Sequence, residues 1–469
     1  MPKPQSLADW LALLETRHPV AIELGLERVA EVARRLQLAR PAPRVVTVAG
    51  TNGKGSCVAL LEALLQHAGM SVGTYTSPHL LAYNERVRIA GRPVSDAALC
   101  AAFARIEEAR GDIRLTYFEV GTLAALLLFA EAGVEVAVLE VGMGGRLDAV
   151  NIVAPDVAVI TSIALDHQAW LGADRDRIGV EKAGIARPGV VTVCGDPDPP
   201  PAMCAALAAV GSPTLFLRDD GCSLPDDGFF HGKDGFSLRD DGCFRGNDGF
   251  VLHEDASGLA LTCIETGGAV RRYPGLPVPQ LPRASAACAV QALVSLGMAP
   301  TPAAVAAAFA ETRLPGRFQR VRWQGRELIL DVAHNPAATA LLARQLSALG
   351  RPAAEVHGVV GALADKDLPA MFAPLTAAIG QWHCCELPGV ARAAPAARLA
   401  AVLYNDIKAV VPSGAAGCHP DPAAGLAAAL HASHVGDLIL VFGSFHTLAP
   451  VLALLAATDH AEAGEGEIQ

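Results

Sequence analysis

The run from Ala49 to Ser56 reads Ala-Gly-Thr-Asn-Gly-Lys-Gly-Ser. It follows Arg44-Val-Val-Thr-Val-Ala49, a β-branched run suited to a buried strand, and precedes a Leu-rich helical stretch that stops at Gly69. Strand, glycine-rich turn and helix together make a phosphate cradle. Glycines let backbone N–H groups approach phosphate oxygens, and the N-terminus of the following helix adds partial positive charge. Thr51, Asn52, Gly53, Lys54, Gly55 and Ser56 are therefore the candidate ATP contacts. Lys54 can reach the outer phosphates, and Thr51 or Ser56 can offer a hydroxyl to phosphate or magnesium. The spacing departs from G-x-x-x-x-G-K-[ST]. Val48 takes the first glycine position and Gly55 follows the lysine, which marks a subtype of the loop.

Such a loop needs a sheet behind it. Strand candidates at 134–141 and 157–163, with helical stretches at 96–110 and 120–132, give the alternation of a mostly parallel sheet. Residues 6–40 read as helical, closed by Pro41 and Pro43. Asp-Gly then recurs at 220–221, 227–228, 234–235, 241–242 and 248–249. This marks residues 219–258 as an Asp-Gly-rich insertion, built of short hairpins or mobile chain. Four prolines between 274 and 282 indicate a linker over 270–282. Strand candidates resume at 327–332, 356–361, 381–386 and 437–442. The expected fold class is α/β: an N-terminal phosphate-loop ATPase-like domain over 1–282 and a smaller Rossmann-like α/β domain over 283–469.

Composition agrees with this plan. The 469 residues exceed one ordinary domain, and 52% hydrophobic against 18% charged residues excludes wholesale disorder. A net charge of −11 argues against a nucleic-acid partner. No apolar run reaches membrane-spanning length and no signal peptide is visible, so a cytoplasmic monomer with small-molecule substrates is expected. The 11 cysteines form no C-x-x-C pair and read as small buried hydrophobes rather than a zinc site.

The phosphate loop and its neighbours resemble the folylpolyglutamate synthase and dihydrofolate synthase family, within the Mur ligase superfamily. The resemblance runs from about residue 20 to 450. It is carried by Thr76-Ser-Pro-His-Leu80, Glu85-Arg-Val-Arg-Ile89, Leu115-Thr-Tyr-Phe-Glu119, the Glu140–Asn151 block, the Thr161–His167 block and Glu181-Lys-Ala-Gly184. Further on come Leu314-Pro-Gly-Arg-Phe318, Asp331-Val-Ala-His-Asn-Pro336, Asp365-Lys-Asp367 and Gly443-Ser-Phe-His-Thr447.

The family reaction joins glutamate to dihydropteroate or to reduced folates through an acyl phosphate, driven by ATP. The narrower alternative is tail extension only. The resemblance implies Ser77, Glu140 and His167 as magnesium ligands, with two ions in all, and Lys54, Lys182 and His167 as catalytic residues. It matches Lys182 to a lysine that is carbamylated in the family; an unmodified lysine pairing with phosphate is the alternative. Arg317 and Asp331 match ATP contacts, and Ser285 stands where many relatives carry an adenine-contacting Asn. Glu23, Leu24, Gly25, Thr116, Tyr117, Phe118, Glu119, Leu147, Asp148 and Ala149 match the pterin pocket. Phe118 is equally suited to a core, and Asp148 to capping local backbone. His334, Ser444 and His446 match the glutamate site, with helix capping as the alternative for His334 and Ser444.

Overall fold

The computed structural model describes residues 4–17, 23–38, 40–218, 249–255, 258–406 and 416–464. The Asp-Gly repeats lie outside the described residues, except for Gly249. Two compact units emerge, one of Met1–His79 with Asn84–Thr312, the other of Leu80–Tyr83 with Arg313–Gln469.

The first unit has strands β1 (Arg44–Ala49), β2 (Val72–Tyr75), β3 (Val87–Ile89), β4 (Arg92–Pro93), β5 (Val136–Glu140) and β6 (Val157–Ile160). It continues with β7 (Val191–Cys194), β8 (Thr214–Arg218), β9 (Gly249–Asp255), β10 (Gly258–Ile264) and β11 (Val270–Leu276). Its helices are α1 (Leu7–Arg17), α2 (Glu27–Arg35), α3 (Lys54–His67), α4 (Asp96–Arg110) and α5 (Tyr117–Ala132). After these come α6 (Gln168–Leu171), α7 (Arg175–Ala183), α8 (Pro201–Val210), α9 (Arg283–Ser295) and α10 (Pro302–Glu311). The strands form one 11-stranded sheet, ordered β11-β10-β9-β8-β7-β6-β1-β5-β2-β3-β4. Pairing is parallel from β9 through to β2, with antiparallel margins at both ends. β1 and β5 are buried along nearly their whole length, as continuous Val-rich runs predict for a sheet covered on both faces. β1 lies between β5 and β6, so chain order reverses beside it, the place where open α/β sheets bind ligands at the carboxyl ends of their strands.

Three expectations need correction. The helical reading of 6–40 resolves into the separate helices α1 and α2. The proline-rich stretch from 270 begins as strand: β11 runs through Pro274 because it is the edge strand, where a missing N–H costs no ladder bond. There Pro274 and Gly275 bulge between the pairs Leu259–Leu276 and Leu261–Tyr273. The chain also leaves the first unit after Thr312, not at 282. α9 is buried continuously from Ser285 to Val294, and Gln291 stitches it to β10 through Ile264 N–H and C=O (2.9 and 2.7 Å). A helix buried all round is part of a core, not an approach to another domain.

The second unit has β12 (Gln319–Trp323), β13 (Arg326–Asp331), β14 (Val356–Val360), β15 (Gln381–Cys385), β16 (Ala416–His419) and β17 (Leu438–Phe442). Its helices are α11 (Pro336–Ser347), α12 (Leu368–Phe372), α13 (Ala396–Ala401), α14 (Pro422–Ala432) and α15 (Phe445–Gly464). Sheet order is β12-β13-β17-β14-β15-β16, parallel apart from the β12–β13 hairpin. One face packs around Trp382, Phe372 and Phe442, the other around Leu328, Ile439, Leu426 and Leu448. This is the smaller α/β layer structure expected for the C-terminal part.

Candidate active site

The turn from β1 into α3 is held tightly against the end of β6. A Cβ on Gly50 would fall 1.9 Å from Thr161 Oγ1, so glycine alone permits this approach. Gly53 takes φ 84° immediately before the helix, the left-handed region that disfavours side chains. Thr51 N–H donates to the Ser162 carbonyl (2.7 Å) and Asn52 N–H to Ser162 Oγ (3.1 Å). Thr161 Oγ1 donates to the Asn52 carbonyl (2.6 Å), and Thr51 Oγ1 accepts Ala164 N–H (3.0 Å). Buried Ser285, from α9, donates to the Gly53 carbonyl at 3.2 Å, which brings it to the phosphate loop. Lys54 folds back so that Nζ donates to the carbonyls of Gly50 (3.2 Å) and Thr51 (3.3 Å). Ser56 Oγ is buried with no hydrogen-bond partner among the described residues.

Parallel strand ends gather the remaining charged groups beside this loop. Ser77 follows β2 and Glu140 ends β5, and Ser77 N–H donates to Glu140 Oε2 at 3.2 Å. Glu140 is buried. His167 has φ 50° in the loop after β6. Its backbone N–H donates to Asp166 Oδ1 (2.8 Å), and its Nε2 lies 3.9 Å from Asp166 Oδ2. Lys182, in the last turn of α7, is buried and donates to the Gly50 carbonyl at 2.9 Å. Burial, with the Lys54 charge nearby, lowers the Lys182 ammonium to about 7, against the opposing pull of Asp166 and Asp148. Among the described residues no three His, Cys, Asp or Glu side chains are gathered as a metal cluster. The trio implied by resemblance supplies two such residues and one serine.

The pterin-pocket residues divide by what they touch. Thr116 and Glu119 form a capping box on α5: Thr116 N–H donates to Glu119 Oε2 (2.7 Å) and Glu119 N–H to Thr116 Oγ1 (3.2 Å). Tyr117 lies beneath the Arg86 guanidinium, 5.5 Å from ring centre to Cζ. Phe118 is half-buried, 5.8 Å from the Tyr75 ring, and lies so close on Gly142 that a Cβ there would meet it at 2.5 Å. Asp148 accepts N–H bonds from Met143 (2.9 Å) and Val150 (3.1 Å), so it caps local backbone and shapes the glycine-rich loop after β5. Burial outweighs these bonds and pushes its carboxyl up to about 6. Leu147 is half-buried and Ala149 buried on either side of it. Glu23, ahead of Leu24 and Gly25, pairs with Arg28.

In the second unit, Asp331 ends β13 and its carboxylate accepts Phe318 N–H and Ala333 N–H, each at 2.8 Å. It thereby shapes the Pro-Gly-Arg-Phe turn. Burial pushes the Asp331 carboxyl up, against Arg317 and these N–H groups. Arg317 stacks over Phe445, 5.4 Å from the ring centre. His334 Nδ1 lies 2.8 Å from the Val332 carbonyl, and Asn335 caps α11. β13 and β17 are parallel neighbours, so His334 and Ser444 follow adjacent strand ends. Ser444 Oγ accepts Thr447 N–H at 3.1 Å, a capping bond at the start of α15. Burial, then Arg392, pulls the His446 imidazole down.

Sequence reasoning gave no role to Thr161, Ser162, Arg28 or Arg86. Thr161 and Ser162 carry a legible signal, paired small hydroxyls directly after a buried strand. The two arginines carry none for their contacts with Glu119 and Tyr117, which are distant in the chain.

Residues 48–188 match the Mur ligase middle domain and residues 316–445 the Mur ligase glutamate ligase domain. The chain is 42% identical over 451 residues to the dihydrofolate synthase/folylpolyglutamate synthase of Escherichia coli (strain K12), covering 96% of each. It resembles the structure of E. coli FolC in complex with DHPP and ADP with a TM-score of 0.85 at 40% identity, over 98% of this chain and 100% of that one. A bifunctional folylpolyglutamate synthase/dihydrofolate synthase from Yersinia pestis, complexed with AMPPNP and Mn ion, gives 0.83 at 42% identity over 97% and 100%.

Proposed function

Because the chain belongs to the dihydrofolate synthase/folylpolyglutamate synthase family of Mur ligases, we propose that it ligates L-glutamate to dihydropteroate and to reduced folates. The first reaction makes dihydrofolate and the second lengthens the glutamate tail. A carboxylate oxygen of the acceptor attacks the γ-phosphorus of ATP, giving an acyl phosphate and ADP. The glutamate amine then attacks the acyl carbon, phosphate leaves, the amine loses its proton, and an amide remains.

The observation that carries this reading is the meeting of two lysine side chains at one carbonyl. Lys54 and Lys182 both donate to Gly50, at 3.2 and 2.9 Å, beside the N-terminus of α3. Phosphoryl transfer is mainly positioning and charge stabilisation, and Lys54 with the N-terminus of α3 supplies positive charge where the outer phosphates belong. Thr51, Asn52, Gly53, Gly55 and Ser56 complete the cradle, with Ser285 bracing it from α9.

The donors also suit a hard divalent cation. Glu140 offers a buried carboxylate, Ser77 and Ser56 offer hydroxyls, and the buried Ser56 Oγ has no protein partner among the described residues. Ser77, Glu140 and His167 would hold magnesium, which neutralises phosphate charge when bound. Lys182 would hold a second ion as its carbamate. A neutral lysine amine attacks CO2, releases one proton and becomes an anion, and a buried amine titrating near 7 is suited to that. Arg317 and Asp331 would contact ATP. His334, Ser444 and His446 would receive glutamate, and the segments around Glu23, Thr116 and Asp148 would receive the pterin.

The test is glutamate-dependent phosphate release, measured separately with dihydropteroate and with a reduced folate. Release with both is expected. Release with the folate alone reduces the function to tail extension, and release without any acceptor refutes ligation.

A further inference from the structure

Arg28 stands in the first turn of α2 and joins two distant stretches of the first unit. Its Nη2 donates to the Glu23 carbonyl (2.9 Å) and to Glu119 Oε1 (3.1 Å), and its Nη1 pairs with the Glu23 carboxylate. Arg28 and Glu119 lie 91 positions apart in the chain. Glu119 is 3% exposed, and its other oxygen is already engaged in the capping box of α5. Among the described residues its buried charge therefore rests on one cation and one helix cap. Loss of that cation leaves a buried carboxylate without its ion partner, which forces the first turn of α5 to reorganise.

We propose that Arg28 is a positioning residue for the pterin pocket. Through Glu23 and Glu119 it fixes the spacing between the Glu23-Leu24-Gly25 segment and the first turn of α5, and so sets affinity for dihydropteroate. This rests on the proposed ligase function and on those two segments facing the pterin. The planar guanidinium suits the task because it spans two acceptors at once, whereas a lysine ammonium offers a single point charge. Arg28 touches neither the phosphate loop nor the Ser77–Glu140 pair, so the effect falls on one substrate.

The experiment varies dihydropteroate, ATP and glutamate in turn, with phosphate release as readout, in wild type, Arg28→Met, Arg28→Lys and Glu119→Gln. Arg28→Met is expected to raise KM for dihydropteroate about tenfold while kcat and KM for ATP stay within about twofold. Arg28→Lys recovers part of that loss. Glu119→Gln keeps the cap, because Gln serves a capping box as Glu does. It is expected to move KM for dihydropteroate in the same direction, and the double variant to be no worse than Arg28→Met alone. An even fall in kcat with unchanged KM for dihydropteroate overturns the proposal, as does a loss shared by all three substrates. If Arg28→Met does not fold, an unchanged KM in Glu119→Gln overturns it instead. A wild type that releases no phosphate with dihydropteroate refutes the underlying function and is thereby distinguished.

Discussion

At the scale of single residues, Lys182 is held against its own solvation. Its ammonium is buried, faces the like charge of Lys54, and titrates near 7 rather than above 10. Between those values the unfolded chain binds a proton that the folded chain does not, so stability rises with pH across that window. Below it, burying the ammonium costs stability. Replacing Lys182 with Met should therefore abolish ligation and stabilise the first unit by about 2 kcal/mol at pH 7, an advantage that shrinks as pH rises toward 10. Denaturant midpoints for wild type and Lys182→Met at pH 7 and pH 9.5 test this. A variant less stable than wild type at pH 7 would refute it. The lysine was legible as part of a four-residue block. Its displaced pKa was not, because that comes from packing of α7 on the phosphate loop.

At the scale of elements, Thr116-Tyr-Phe-Glu119 shows how one short run can serve two purposes. Sequence resemblance attached it to the pterin, yet two of its four residues cap α5. The Thr-x-x-Glu pattern before an apolar run was itself a legible helix start. Thr116→Ala should cost about 1 kcal/mol of unfolding free energy, and Thr116→Ser almost nothing. Denaturant unfolding of both variants checks this. If Thr116→Ala leaves stability unchanged yet raises KM for dihydropteroate, its hydroxyl is a ligand contact rather than a cap. The same split governs what could be read elsewhere. Val-rich central strands such as β1 and β5 announce themselves by continuous apolar runs. β11, with a proline and a bulge, does not, because its fitness as an edge strand depends on having no further partner among the described residues. α9 belongs to the first unit rather than to the expected C-terminal domain, and this is illegible in the sequence for a related reason. Its small residues, Ser285, Ala286, Ala287 and Cys288, give no amphipathic stripe, and only the surrounding core shows that every face is covered.

At the scale of the whole chain, two units with separate sheets predict two unfolding events rather than one. Acid should separate them. In the second unit, three parallel neighbouring strands align His357, His383 and His419 in a row. His357 Nδ1 lies 3.5 Å from His383 Nε2, and His383 Nδ1 lies 3.2 Å from His419 Nε2. His357 also faces Asp437, with Nε2 3.8 Å from Oδ2, and the charge of His434 opposes its protonation. Burial is the main cause that lowers all three imidazoles, and for His383, between two others, the fall reaches about 4. An unfolded histidine titrates near 6.5. As pH falls from there toward 4, the unfolded chain takes up protons that the folded row refuses. The stability is complete above about 6.5 and lost on the way down, by up to about 3 kcal/mol for His383 alone. Asp437 offsets part of this at the His357 end. Calorimetry at pH 7.5 and pH 5 should show the second-unit transition falling further than the first, and His383→Asn should reduce that difference. Equal acid shifts in wild type and variant would show that the row titrates no differently from histidines in water.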